Sequence, residues 1–122
     1  MLIVAATAIL TLINPFINDM CKNQILSQSV IPNSNKKIVV FSRDCGATTS
    51  KSTQISILNL SSELKNGSGN IFIADSNHSQ KELKVIINIV GSKKIKIIYS
   101  KNARVFKKEP KYQDIKIEYI KM

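Results

Sequence analysis

Tryptophan is absent from the sequence, histidine occurs once and cysteine twice, and only seven residues are aromatic. A core must therefore be filled mainly by Ile, Val and Leu. One histidine and two distant cysteines fall short of the four ligands of a structural zinc site. There is no Gly-rich phosphate loop, no paired-carboxylate arrangement and no Cys-x-x-Cys pair, so no metal, cofactor or catalytic residue is expected. Acidic residues are also scarce, 8 against 18 Lys and Arg, for a formal charge of +10.

The excess of positive charge is uneven: from Lys81 onward there are 12 basic and 4 acidic residues. Most of these lysines fit solvent-facing strand positions. The densest run is Lys101–Lys111, with Lys101, Arg104, Lys107, Lys108 and Lys111 as the candidate contact to an anionic surface. Phe106 is its lone stacking residue before Tyr112, whereas nucleic-acid platforms need several aromatics on one face. Specific nucleic-acid binding is therefore not expected. The partners that fit are an envelope protein or an anionic membrane or cell-wall component.

Long apolar runs are limited to one, Leu2–Ile17, which carries no charge. It is shorter than the about 20 residues a helix needs to span a bilayer, and no Lys or Arg precedes it. Cleaved signal peptide, retained anchor, misplaced start codon and buried core segment all stay open for residues 1–17. Residues 18–122 then make one domain, exported into a periplasmic or membrane-anchored position in a bacterial envelope. Cys21 and Cys45 lie just beyond this leader, where an oxidising compartment would join them; two buried thiols are the alternative.

After the leader the hydrophobic period is two. Leu83, Val85, Ile87 and Ile89 share one face; Ile95, Ile97 and Tyr99 repeat the pattern beyond a Gly91-Ser92 turn, and Ile115, Ile117 and Tyr119 repeat it again. Lys37–Arg43, Thr53–Leu58 and Asn70–Ala74 are rich in β-branched residues, with Gln24–Val30 and Ala103–Lys107 as weaker strands. Ser61–Lys65 is the one place for a helical turn. The pattern predicts a mainly β fold, an antiparallel meander of six to eight short strands in a sandwich or curled sheet, behind an apolar N-terminal helix.

Polar chemistry concentrates in the loop after Arg43. Arg43, Asp44, Thr48, Thr49, Ser52 and Thr53 form the candidate binding loop. A nucleophile there would lack a base, because the only histidine, His78, sits in a separate polar stretch with Asp75. A two-ligand metal contact from Asp75 and His78 is weaker than an ordinary surface histidine.

The segments Asp19-Met20-Cys21-Lys22-Asn23, Val39–Thr49 with Arg43-Asp44-Cys45-Gly46-Ala47-Thr48-Thr49, and Ser52-Thr53-Gln54 resemble a family of small bacterial exported proteins of unknown function. The resemblance runs on through Gly69–Ala74 to the C-terminal strand. It departs at Ser50-Lys51, where the family often has Gly and an aromatic, and in lacking a late Trp. It implies export, a Cys21–Cys45 disulfide and a β-rich fold, and it transfers no catalytic residue. The function expected is a noncatalytic envelope binding module; a small hydrolase or transferase using the Asp44–Thr53 loop, and an inhibitor or immunity protein, are the alternatives.

Overall fold

The computed structural model describes residues 20–46, 51–79 and 81–122. The expected N-terminal helix at 1–17, and Thr48 and Thr49 of the candidate loop, lie outside the described residues. Nine strands follow one another: β1 (Lys22–Val30), β2 (Lys36–Asp44), β3 (Ser52–Asn59), β4 (Phe72–Asp75), β5 (Val85–Gly91), β6 (Lys94–Tyr99), β7 (Arg104–Lys108), β8 (Lys111–Tyr112) and β9 (Ile115–Lys121). They form a five-stranded sheet, β1-β2-β3-β4-β7, and a four-stranded sheet, β5-β6-β9-β8.

Of the expected sandwich or curled sheet, the structure shows a mainly β fold of two largely antiparallel sheets, and four details are corrected. There are nine strands rather than six to eight, because Lys111–Tyr112 pairs briefly with β9. The order is not a simple meander: β7 returns to the first sheet beside β4, and β9 runs parallel to β6. The β5–β6 turn is Ser92-Lys93, since Gly91 is still paired with Lys94 after a bulge. Ser61–Lys65 forms no helix; Ser62 N–H donates to Asn59 O, closing a turn.

The sheets meet over Ile38, Val40, Ile55, Ile57, Phe72 and Ala74 on one side and Ile95, Ile97, Tyr99, Ile115 and Ile117 on the other. Phe72 spans the junction, its ring 5.3 Å from Tyr99 and 5.9 Å from Tyr119, in the offset and tilted arrangements aromatic pairs favour. The Tyr119 hydroxyl donates to Glu109 O at 2.7 Å, and burial pushes its pKa well above the usual tyrosine range. Thr53 Oγ1 donates to Leu83 O at 2.7 Å, which places the start of β5 against β3. Since β4 faces β6 and β9 through Phe72, β1 lies on the β5 side of the sandwich and overhangs it. All its residues are exposed except half-buried Asn23.

The run Ile-Val-Val-Phe in β2 is explained by burial on both faces. Ile38 and Val40 point into the sandwich, whereas Val39 and Phe41, also fully buried, point outward under the loop 60–70. Outward-facing polar side chains hold that loop down. Arg43 Nη1 donates to Asn23 Oδ1 (2.9 Å), Asn66 Oδ1 (3.0 Å) and Gly67 O (3.3 Å). Gln54 Oε1 accepts from Gly69 N–H at 2.7 Å, and Ser56 Oγ accepts from Asn70 N–H at 3.1 Å. The Asn70 amide then exchanges two 2.9 Å hydrogen bonds with the backbone of Ile57, standing in for a strand residue.

Where the loop rejoins the sheet, a Cβ on Gly69 would lie 2.8 Å from Ile55 O and 2.9 Å from Phe72 O. Backbone atoms cannot swing away, so Gly69→Ala is expected to lower stability by about 1–3 kcal/mol, read from the urea midpoint. At the opposite end, Cys21 and Cys45 are joined as a disulfide one step beyond the Lys22–Asp44 pair, clipping the open end of the β1–β2 hairpin. Reduction releases a 24-residue separation and is expected to cost roughly 3 kcal/mol in the chain-entropy model, visible as a lower melting temperature in thiol reductant.

Candidate functional site

The described residues of the polar loop are committed to the fold. Arg43 clamps the crossing loop, and Asp44 Oδ1 accepts from Gly46 N–H at 3.1 Å in a local turn. Ser52 Oγ accepts from Gln54 Nε2 at 2.7 Å, and Thr53 is buried with its hydroxyl on Leu83 O. The structure therefore gathers Arg43 and Ser52 on the outer face of the first sheet but sends Thr53 inward. These four side chains keep the shape of the β2–β3 end, as Ser and Thr side chains in a turn do when they satisfy nearby polar groups.

Asp75 is 4% exposed at the end of β4 and sits directly opposite Arg104 on β7. Arg104 grips it with two hydrogen bonds, Nη2 to Oδ2 at 2.6 Å and Nε to Oδ1 at 3.2 Å. This fork, helped by the Asn77 N–H, holds the Asp75 carboxyl below the usual carboxylate range against the opposing effect of burial. Arg104 also lies 5.1 Å from the centre of the Phe106 ring, and its Nη1 is 3.5 Å from His78 Nε2. Asp75 and His78 are thus bridged by a cation, and among the described residues no three His, Cys, Asp or Glu side chains group as metal ligands.

The expected basic patch is dispersed. Arg104 is spent on Asp75, Lys108 Nζ stands 5.5 Å over the Tyr119 ring, Lys107 is half-buried, and Lys101 belongs to the turn where its N–H meets Met122 O. Lys111 alone joins a larger charged surface, the outer face of the four-stranded sheet. There Lys94, Lys116 and Lys111 are directly opposed on β6, β9 and β8. Beside them runs Asn88–Lys96–Glu118, and beyond that Ile86–Ile98–Ile120. Ile86 and Val90 are about half exposed. Sequence reading gave the lysines to solvent correctly but missed the isoleucines. Their signal was parity, because Ile86, Ile98 and Ile120 occupy positions that alternation reserves for polar side chains.

The second bare feature is the edge of β5. Its residues Val85, Ile86, Ile87, Ile89 and Val90 are all β-branched and none is fully buried. The strand contains no charge, and among the described residues nothing pairs with its outer side. A shallow cleft of about 440 Å³ opens near its start, lined by Ser76, Lys84, Ser100, Asn102 and Met122.

The fold and its surfaces define the class: a disulfide-clipped, all-β two-sheet domain. The disulfide is compatible with an extracellular or periplasmic protein, and among the described residues no helix is long and apolar enough to cross a membrane. No protein-family model, no curated protein and no solved structure matches the chain.

The Asp75–Arg104 pair gives a prediction with a defined sign. A carboxylate whose folded pKa is depressed adds stability above its unfolded value, about 4 for an aspartate, and loses that contribution as pH falls through the lower folded value. Asp75→Asn is therefore expected to destabilise the protein by about 1–3 kcal/mol at pH 7. The wild-type advantage should shrink below about pH 4 in urea titrations.

Proposed function

We propose that the protein is a noncatalytic exported binding module that receives an extended segment of an envelope protein along the open edge of β5. The observation that carries this reading is the strand itself: uncharged in a +10 chain, β-branched at five of seven positions, and unpaired on one side among the described residues. Folded proteins usually blunt such edges with lysine, proline or a covering loop, because unpaired N–H and C=O groups template another strand. An added strand gains main-chain hydrogen bonds from the edge and apolar contacts from alternate side chains.

The overhang of β1 argues for a lone segment. A strand laid beside β5 lies over the inner side of β1, where Gln24, Ser27 and Ser29 are exposed. Pairing with β5 of a second copy would bring two overhanging β1 strands toward the same space. Lys81 and Lys84 before β5, which form no ion pair among the described residues, favour a segment with an acidic residue at that end. Export rests on the Cys21–Cys45 disulfide and on the apolar sequence Leu2–Ile17 that precedes it.

A photo-crosslinking residue at exposed Asn88, in the full chain expressed in a bacterial envelope, tests this. It should join one extended segment of one partner, and Ile87→Lys should cut the yield roughly tenfold or more by placing an inward-pointing charge on the edge. The same crosslinker at Gln28, on the outer face of β1, should capture nothing. No product at Asn88, or a product indifferent to Ile87→Lys, would overturn the proposal.

A further inference from the structure

The outer face of the four-stranded sheet is a second surface, distinct from the β5 edge, and we infer that it docks on an anionic lipid bilayer. Its strands present Lys94, Lys96, Lys111 and Lys116 against Glu118, and just outside them the same alternation adds Lys84 with Glu82 before β5 and Asp114 before β9, so that lysines outnumber acids five to three. Lys94 and Lys111 flank Lys116 directly, with no acid between them in the row. Like charges directly opposed across strands are unfavourable. Lys94 Nζ finds Glu118 at 3.3 Å, but Lys116 and Lys111 have no carboxylate partner among the described residues. A row of this kind costs the isolated fold some stability, and a sheet of negative charge removes that cost.

The aliphatic half of the face selects the type of anion. Ile86 (50% exposed), Val90 (53%) and Ile120 (37%) stand on the same surface as the lysines, with half-buried Ile98 between Ile86 and Ile120. Lipid headgroups accept both parts: ammonium groups rest among the phosphates while short branched side chains reach the acyl boundary. A nucleic acid would use the lysines and leave the isoleucines in water. It would also look for aromatic platforms or arginine forks, and this face has neither. The β5 edge stays reachable from the side, so this inference stands or falls independently of strand addition.

Co-sedimentation of the full, oxidised chain with vesicles of phosphatidylcholine alone, or with about one-third phosphatidylglycerol, tests the inference. Any partitioning by the apolar Leu2–Ile17 segment contributes to both compositions, so the difference between them reads the charged face. Binding should be at least roughly tenfold stronger to the anionic vesicles and should fall steeply between about 0.1 M and 0.5 M salt. The double variant Lys96→Glu/Lys116→Glu should abolish that difference. Lys22→Glu/Lys65→Glu, an equal charge change away from the face, should keep most of it. Ile86→Thr/Ile120→Thr preserves strand preference and should weaken anionic-vesicle binding several-fold without changing its salt slope. Circular dichroism of each variant confirms that the fold is intact, and the wild-type salt series reads the outcome without any variant. Equal binding to both compositions, equal loss in the two charge variants, or tighter binding of a duplex oligonucleotide through the same lysines would overturn the assignment.

Discussion

A four-stranded sheet faces a five-stranded one, and this mismatch in width governs what the molecule buries and what it leaves bare. The aromatic contacts of Phe72 with Tyr99 and Tyr119 fix the alignment of the two sheets. With β4 set over β6 and β9, and β3 over the start of β5, β1 is left exposed, and among the described residues no strand pairs with the outer side of β5. The sandwich is thus complete in its middle and unfinished along one side.

The first sheet solves a related problem on its outer face. Val39 and Phe41 would be exposed if the loop 60–70 did not cross them, and a loop has little apolar surface of its own with which to stay in place. Arg43, Asn23, Gln54 and Ser56 supply that grip by hydrogen bonds to main-chain and side-chain groups of the loop, and Asn70 at its end bonds back to the Ile57 backbone. Each bond contributes modestly, on the order of 1 kcal/mol, but buried amide groups of the loop would be left unsatisfied without them. Polar residues that look like chemistry in the sequence are here the fasteners of a lid over the second, outward layer of apolar side chains.

Among the described residues no loop crosses the outer face of the second sheet, and charge and apolar surface coincide there. Since lysine stems are themselves apolar and only their ends need water, five lysines and four β-branched side chains can share a face without disturbing the fold. The disulfide clips the end of the β1–β2 hairpin, one step beyond the Lys22–Asp44 pair. The exposed strand is therefore held in register by covalent attachment and, among the described residues, by pairing with β2.

Period-two alternation in Val85–Ile89, Lys94–Tyr99 and Ile115–Tyr119 determined the strands and their inward faces, because a pleated strand places every second side chain on the same side whatever its neighbours. The pairing of Cys21 with Cys45 was likewise legible, as the only two thiols in the chain. Alternation is blind to what lies across a sheet. It could not tell that Ile86, Ile98 and Ile120 form one row, that β9 runs parallel to β6, or that Arg104 would leave the basic run for Asp75. Those facts depend on strand order and register, which join residues far apart in the chain. The sequence by itself determined strands, staple and charge, and only the tertiary structure decided which edge and which face those strands leave open.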